Sequence, residues 1–503
     1  MKPQAKAAQK PQDHSFGFIV FVLSCLFLSS MSRYFENLSL IYKLLIAAFI
    51  TNTLIVLSCF YLKHFSSSAK KEKEIRRKIS KIPEDIFSSK NNYLGFDLNL
   101  KKEIYLSDSI RSRHVHILGA TGSGKTESVV LNLINQDAQK QHPIIIVDAK
   151  GDDSFLNYLN QDSKTAERLL VFDMSSDSPT CSYDPLLAGT ATQAAQRLFN
   201  SLCWSEEYYK LRSRELLFTL FENFERNRGK RITLLDLRRI LKSVDLINKE
   251  CGFIEEFTRK DHADIAGLQA QIEQLCSGNL KKLLNHKQDG LNINISECIQ
   301  DKRIVYFRLQ SLLDQTTVST IGRLIINDLS YYAGQSHRTK NNTLFCPVYL
   351  DEFGSLACEA FIELISKARS AGLALHFSHQ SMGDLSALGS SYLSRITDNT
   401  STKIVMRIYC PESAELMARS FGTSDSTKLT HRVDVEGENI EQQGQGSMRD
   451  VQTFRASPND MKYLATGQGF AYIAHGNAYY KDAATVHRLQ FPKLNQQMTI
   501  GGT

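Results

Sequence analysis

Residues 119–126 have the sequence GATGSGKT and match the phosphate-binding pattern GxxxxGK[ST] completely. Glycines in such a loop let backbone N–H groups turn towards phosphate oxygens at the N-terminus of a helix. Lys125 is expected to reach the β- and γ-phosphates, and the Thr126 hydroxyl is expected to ligate Mg²⁺. The pattern predicts a site for ATP and Mg²⁺, with nucleotide contacts from Gly119, Ala120, Thr121, Gly122, Ser123, Gly124, Lys125 and Thr126.

Two acidic residues follow a second apolar segment, in the sequence PVYLDEFG at 347–354. At the C-terminal end of a strand, Asp351 is expected to hold Mg²⁺ through water, and Glu352 to orient or deprotonate the attacking water. Apolar segments with the same ending also close ordinary strands, so this assignment depends on the complete phosphate-binding loop. Gln380, after another apolar segment, could sense the γ-phosphate or orient water, or could be an ordinary polar loop residue.

Further apolar segments that could position these residues lie within 143–153, 168–174, 303–309, 373–381, 402–408 and 469–474. Helical stretches separate several of them. This alternation is typical of an α/β fold with a mostly parallel sheet, helices on both faces and ligands at the carboxyl ends of the strands. We therefore predict a nucleotide-binding domain made of residues 85–189 and 300–503.

Between these two parts, apolar residues repeat at helical spacing, which predicts an inserted all-α domain at 190–299. The only tryptophan, Trp204, is expected to pack in its core. Basic residues are frequent at the start of this domain, and most such charges are simply solvated. Arg226, Arg228 and Arg231 are candidates for contact with nucleic acid.

Two N-terminal segments, 15–32 and 44–62, contain no formal charge and are long enough for helices that cross a membrane. We predict a two-helix transmembrane hairpin at 1–62 and a basic juxtamembrane linker at 63–84. No small-x-small site follows the first segment, which argues against a cleaved signal peptide. Lysine and arginine on both flanks predict cytoplasmic N- and C-termini in a bacterial inner membrane.

Composition excludes several other classes of protein. The chain of 503 residues is 42% apolar and 22% charged, which argues against a wholly disordered, collagen-like or polytopic membrane protein. The net charge of +7 permits anionic partners without requiring them. The ten cysteines form no CxxC pair, so neither a zinc ribbon nor a disulfide scaffold is indicated.

Taken in order, these motifs resemble those of the type IV secretion coupling proteins, the TraD and TrwB group of conjugation ATPases. The resemblance covers almost the whole chain: the two spans, GATGSGKT, VDAKGD, SYDPL, YLDEFG, SHQS, STKIVMRI and AELMARSFG. One departure is DPL where the family usually has NPL. The resemblance implies a RecA-like P-loop NTPase domain in a membrane-anchored homohexamer. Its expected partners are single-stranded DNA with its relaxase complex and the components of a secretion channel.

Two arginines acquire a role only through this resemblance. Arg113, just ahead of the strand that leads to the phosphate-binding loop, resembles the family's basic residue near the nucleotide. Arg369, ahead of the strand that leads to Gln380, resembles the family's proposed arginine finger. Such a finger would complete the site of a neighbouring subunit.

The function implied is an ATPase that drives a DNA–relaxase substrate into an export channel. Three alternatives remain open. One is a secretion ATPase that receives protein substrates or assembles the channel without pumping DNA. Another is a DNA translocase of the FtsK or HerA type, although FtsK-type proteins usually carry more spans, a long linker and a winged-helix end. The third is a membrane scaffold that keeps the loop without hydrolysing nucleotide.

Overall fold

The computed structural model describes residues 91–151, 153–175, 180–252, 257–286, 290–312, 314–339, 343–436, 439–475 and 483–493. The predicted transmembrane hairpin and the basic linker lie outside these residues, so both remain predictions. Within the described ranges, no helix is both long and apolar enough to cross a membrane.

Strands and helices alternate along most of the described chain. The strands are β1 Asn91–Asp97, β2 Lys102–Ser107, β3 Val115–Leu118, β4 Ile144–Asp148, β5 Leu169–Asp173, β6 Ser182–Tyr183, β7 Asn292–Ile293, β8 Ile304–Arg308, β9 Cys346–Asp351, β10 Leu373–His379, β11 Thr402–Met406, β12 Thr423–Glu436, β13 Asn439–Phe454, β14 Gln468–Ala474 and β15 Ala484–Gln490.

The helices before residue 300 are α1 Asp108–Arg111, α2 Leu131–Gln139, α3 Asp153–Leu159, α4 Ser163–Arg168, α5 Ala191–Ser201, α6 Glu207–Arg228, α7 Leu234–Leu241, α8 Val244–Cys251, α9 Arg259–Asp264, α10 Ala266–Leu275, α11 Leu280–Leu283 and α12 Ile295–Gln300. Those that follow are α13 Gln315–Thr339, α14 Glu359–Lys367, α15 Met382–Ser386, α16 Ser390–Asp398, α17 Pro411–Phe421 and α18 Pro458–Lys462. Shorter turns are the π-helical Lys125–Val130 and the 3₁₀-helical Phe353–Ser355 and Ala368–Ala371.

One eleven-stranded sheet organises these elements, in the order β2-β1-β15-β14-β11-β3-β10-β9-β4-β8-β5. The strands from β11 to β5 run parallel to one another. The strands β14, β15, β1 and β2 extend the sheet in antiparallel fashion. The predicted α/β class is confirmed, and the sheet is mixed because the apolar segment 469–474 forms the antiparallel strand β14.

The register of the parallel strands brings their carboxyl ends to a common edge. Leu118, the last residue of β3, pairs with His379 of β10 and with Val405 of β11. Asp148, the last residue of β4, pairs with Asp351 of β9. Loops that follow these strands therefore lie side by side along one edge of the sheet, where ligands bind in open α/β folds.

Helices cover both faces of the sheet. On one face, Phe307, Leu350 and Phe377 belong to a buried cluster that continues into the helices between 191 and 283. On the other face, the buried side chains of β3, β4 and β11 pack with those of α2 and α3. Trp204 is partly buried and stacks on Phe199, with 5.2 Å between ring centroids. Burial of these side chains is the main stabilising contribution.

The three candidate arginines of the helical region each have a side-chain partner within that region. Arg228 pairs with Glu250, and the guanidinium of Arg231 lies 2.8 Å from the carboxylate of Glu225. Arg226 donates a hydrogen bond to Asn223 at 3.0 Å. Two of these three arginines, which are candidates for contact with nucleic acid, therefore already have an acidic partner within the helical region.

Strands β12 and β13 form a separate antiparallel ribbon. They contain 14 and 16 residues and pair from Thr423 with Phe454 to Glu436 with Asn439. At about 3.4 Å per residue, the ribbon is on the order of 45 Å long. None of its described side chains is buried.

A buried charged cluster joins the middle of β9 and β10 to α1 and α2. Arg111 is fully buried and donates to both carboxylate oxygens of Asp137, at 2.7 and 2.5 Å. Its Nε donates to His376 at 3.1 Å, and Tyr349 donates to Asp137 at 2.5 Å. Burial alone would raise the pKa of Asp137, but the charge and hydrogen bonds of Arg111 outweigh it and lower the pKa to about 2.

Replacing Arg111 with methionine should lower the free energy of unfolding by about 3–5 kcal/mol, because Asp137 would remain as an unpaired buried charge. Lys367 pairs with Glu363 on the exposed side of α14 and provides the control. Lys367→Met should change stability by less than about 1 kcal/mol. Urea denaturation of the purified full-length protein measures both, and equal losses in the two variants would contradict a special role for Arg111.

Candidate active site

The phosphate-binding loop joins β3 to the helical segment that begins at Lys125, as the sequence predicts. Gly122 and Gly124 have φ of 74° and 96°, values in the left-handed region that glycine adopts without strain. A Cβ atom on Gly119 would lie 2.8 Å from Ser123 Oγ and 2.9 Å from Met406 Cβ. The loop is therefore so tightly folded that these positions require glycine.

Lys125 is only 6% exposed, and its ammonium group is directed back into the loop. Its Nζ donates to the carbonyl oxygen of Gly119 at 2.6 Å. Burial lowers the pKa of Lys125, and the nearby carboxylates of Glu352 and Asp351 partly offset that effect. A phosphate oxygen would be a stronger partner for this desolvated cation than a carbonyl oxygen.

Thr126 and Asp351 meet across the gap between the loop and β9. The Thr126 hydroxyl donates to Asp351 Oδ2 at 3.0 Å, and Ser378 of β10 donates to the other carboxylate oxygen. Asp351 is 2% exposed, so these two hydroxyls fix its orientation. The structure thus brings together the two side chains that the sequence assigned to Mg²⁺.

This pair suits a magnesium ion that the protein shares with a nucleotide. In the described part of the chain, no group of three or more His, Cys, Asp or Glu residues could hold a metal ion. Mg²⁺ commonly keeps several waters and binds one or two protein oxygens together with substrate phosphates. The hydroxyl of Thr126 and the carboxylate of Asp351 are donors of that kind.

Glu352 and Gln380 form a second connection between strand ends. Gln380 Nε2 lies 3.1 Å from each carboxylate oxygen of Glu352 and donates to both. Its Oε1 accepts a hydrogen bond from Thr121 in the phosphate-binding loop at 2.7 Å. Glu352 has φ of 52°, a left-handed conformation that costs a residue other than glycine about 1–3 kcal/mol. The turn that places its carboxylate beside Gln380 is therefore held by the surrounding structure.

The structure does not bring Arg113 or Arg369 to this loop. Arg113 precedes β3, and its Nη2 lies 3.4 Å from the carbonyl oxygen of His475. Arg369 lies in the exposed turn that precedes β10. Both arginines are at the amino ends of strands whose carboxyl ends carry the site. A role for Arg113 near the nucleotide has no support in this arrangement, and Arg369 could act only on another subunit.

Arg407 is a neighbour of the loop that the sequence analysis missed. It follows β11, and its Nη2 donates to the carbonyl oxygen of Gly122 at 3.3 Å. Its own carbonyl oxygen accepts from the backbone N–H of Ala120 at 2.8 Å. Arg407 stands directly after an apolar strand, as Gln380 does, so the rule that singled out Gln380 could have found it.

The antiparallel strands also support the loop. The backbone N–H of Gly467, just before β14, donates to the carbonyl oxygen of Ser123 at 3.0 Å. The Ser123 hydroxyl is buried inside the loop, and within the described residues it has no hydrogen-bond partner. Glycine geometry, a desolvated lysine and this hydroxyl together fit a magnesium-bound triphosphate.

Solved structures with the same fold include conjugative coupling proteins and VirB4. The unbound monoclinic form of the bacterial conjugative coupling protein TrwBdeltaN70 is 14% identical, with 84% of this chain and 93% of that chain covered and a TM-score of 0.59. The plasmid coupling protein TrwB with ADP and Mg²⁺ is 14% identical, with coverages of 78% and 88% and a TM-score of 0.57. VirB4 of Thermoanaerobacter pseudethanolicus is 13% identical, with coverages of 82% and 98% and a TM-score of 0.51. At these identities the likeness shows the fold alone.

Sequence comparison gives the family. No curated protein matches the chain. A family model described as the type IV secretion-system coupling protein DNA-binding domain matches residues 102–479, which is more than half of the 503 residues. The matched range includes the phosphate-binding loop and the carboxyl ends of β9, β10 and β11. The chain therefore belongs to the family of type IV secretion-system coupling proteins.

Proposed function

We propose that the protein is a Mg²⁺-dependent ATPase that drives single-stranded DNA, with its bound relaxase, into the channel of a type IV secretion system. The observation that carries the ATPase activity is the convergence of the phosphate-binding loop with Asp351, Glu352 and Gln380 through direct hydrogen bonds. Membership of a family whose matched domain is described as DNA-binding supports the choice of DNA as substrate.

Each side chain at the site then has a distinct task. Lys125 neutralises charge on the β- and γ-phosphates, and Thr126 with Asp351 holds the metal ion. When bound, Mg²⁺ neutralises charge that develops on the phosphate oxygens. Glu352 accepts a hydrogen bond from the attacking water and orients it. Gln380 contacts both Glu352 and Thr121, so it links the water-binding acid to the loop that holds the phosphates.

The remaining parts of the proposal follow the family. The N-terminal hairpin anchors the protein in the bacterial inner membrane with both termini in the cytoplasm. Six copies form a ring around the DNA, and each supplies Arg369 to the site of its neighbour. The exposed position of Arg369, at the opposite end of the strands from its own loop, supports an action between subunits.

Glu352→Gln should lower the rate constant of ATP hydrolysis about 10²- to 10⁴-fold, because the attacking water loses the carboxylate that orients it. Nucleotide binding should persist in this variant, whereas Lys125→Ala should abolish it. Glu359, an exposed acid on α14, provides the control, and Glu359→Gln should leave hydrolysis and binding unchanged. Phosphate release and binding of labelled nucleotide measure the two quantities. Wild-type hydrolysis by Glu352→Gln would remove Glu352 from the mechanism.

Single-stranded DNA should stimulate hydrolysis by the full-length protein. Its apparent affinity should fall at least about tenfold between about 50 and 200 mM salt, because counterions compete for the phosphates. Hydrolysis assays with DNA titrated at several salt concentrations measure both effects, with Lys125→Ala as the background. A hydrolysis rate that DNA leaves unchanged would instead favour a receptor of protein substrates or an assembly ATPase. Stimulation without any effect on plasmid transfer in cells would favour a translocase of the FtsK or HerA type.

Arg369→Ala should lower hydrolysis about 10³- to 10⁵-fold while nucleotide binding is largely preserved, because the neighbour's site loses its positive charge. A mixture of Arg369→Ala with Lys125→Ala should regain part of the activity. In mixed rings, some intact loops face a neighbour that still has Arg369. Hydrolysis by the mixture, compared with each variant alone, measures this complementation, and unchanged hydrolysis by Arg369→Ala would exclude the role.

A further inference from the structure

Two buried histidines lie directly beneath the site, on the adjacent strands β3 and β10. His116 is 1% exposed and His379 is completely buried. Their rings are nearly coplanar, with 10° between the ring planes, and the two Nε2 atoms are 2.6 Å apart. At this distance the two nitrogens share one hydrogen, so one ring donates and the other accepts.

Other contacts of the two rings extend this hydrogen bond. His379 Nδ1 lies 2.7 Å from the carbonyl oxygen of Ser381, which can only accept, so Nδ1 carries a hydrogen. At the other end of the ring, His379 Nε2 makes the hydrogen bond with His116 Nε2. Burial, with smaller effects of His379 and Lys403, holds the pKa of His116 well below its ordinary value, so this ring is neutral. The hydrogen bonds therefore connect His116 to His379 and His379 to Ser381.

This chain of hydrogen bonds joins the two residues that flank Gln380 in the sequence. The side chain of His379 reaches past Gln380 to the carbonyl oxygen of Ser381, which fixes the turn that carries the amide. The Ser381 hydroxyl accepts from the N–H of Gly383 at 3.0 Å and caps α15, so the far side of the turn is also held. The conformation of Gln380 is thus set by its two neighbours in the sequence.

The same histidines are connected to the phosphate-binding loop. The carbonyl oxygen of His379 accepts from the N–H of Gly119, the first residue of the loop, at 3.3 Å. His116 belongs to β3, which leads directly into that loop. A displacement of the loop is therefore transmitted to the turn around Gln380 through both the backbone and the paired rings.

We propose that His116 and His379 are positioning residues for ATP hydrolysis: their shared hydrogen bond keeps Gln380 in register with the phosphate-binding loop. Neither ring touches the nucleotide. This inference rests on the proposed function, because Gln380 needs accurate placement only if it works with Glu352 beside the phosphates of a bound nucleotide. A shift of about 1 Å in such a group can lower a rate about 10²-fold.

The test compares two replacements of His116 in the full-length protein. His116→Phe keeps a planar ring but cannot form this hydrogen bond, and it leaves His379 Nε2 buried without a partner. We expect the rate constant of ATP hydrolysis to fall about tenfold or more, with the dissociation constant of labelled ATP changed less than about twofold. His116→Gln has an amide that can donate to or accept from His379 Nε2 and should retain more than half of the activity.

A third variant breaks the same bond from the other side and guards against misfolding of His116→Phe. His379→Asn can still donate to Ser381 from its amide but cannot reach His116, so its hydrolysis should also fall about tenfold. Val305→Ala, in the buried strand β8, provides a control that loses stability away from the site. It should lower the melting temperature and leave the rate constant unchanged.

The results separate three cases. Reduced hydrolysis in His116→Phe and His379→Asn, with rescue in His116→Gln, supports the inference. Wild-type hydrolysis in His116→Phe, or equal losses in the Phe and Gln variants, overturns it while an inactive Lys125→Ala leaves the proposed ATPase intact. Full activity of Lys125→Ala would overturn the proposed ATPase, and the inference with it.

Discussion

The hydrogen-bonded register of β3 with its parallel neighbours is the constraint on which the site depends. Because Leu118 pairs with both His379 and Val405, the loop after β3 emerges level with the residues that follow β10 and β11. Side chains alternate between faces along a strand, so a slip of one residue would reverse every side chain. Asp351 would then face away from Thr126, and no change in the loop itself could restore the contact.

Polar groups are buried in this sheet or against it in three clusters, and each cluster has its own hydrogen-bond partners. Arg111 and Asp137 contact the middle of β9 and β10, the paired histidines connect the start of β3 to the end of β10, and Asp351 lies at the end of β9. Buried polar groups stabilise one arrangement only if they are satisfied, since an unpaired group in a low-dielectric interior is costly. The same networks that could destabilise the sheet therefore fix the relative positions of its strands.

Local sequence was sufficient for the parts of the site that lie on one continuous segment. The loop at 119–126 and the acids after β9 follow patterns whose chemistry requires those residues at those spacings. Contacts between strands distant in the sequence were not accessible in this way. Arg407 is brought to the loop by pairing of β11 with β3, and the hydrogen bond between His116 and His379 depends on β10 lying beside β3. Arg113 had a role only through the family resemblance, and the structure places it before β3, at the opposite end of that strand from the loop.

The antiparallel additions were missed for a different reason. Strands β1, β2 and β15 contain mixed polar and apolar residues, since they lie towards one side of the sheet, and their pairing is decided by tertiary context. The boundaries of the inserted helical domain remain predictions, although the described elements between 191 and 283 are all helical. Its apolar side chains share one core with the sheet.

The ribbon of β12 and β13 determines where the chain tolerates changes in length. Since the side chains described at its base, 423–428 and 448–454, are not buried, changes there would have little effect on the stability of the domain. The entropic cost of a longer connection grows only slowly with length. The ribbon is thus a segment whose length can change more readily than that of the loop at 119–126, which follows a strand paired on both sides.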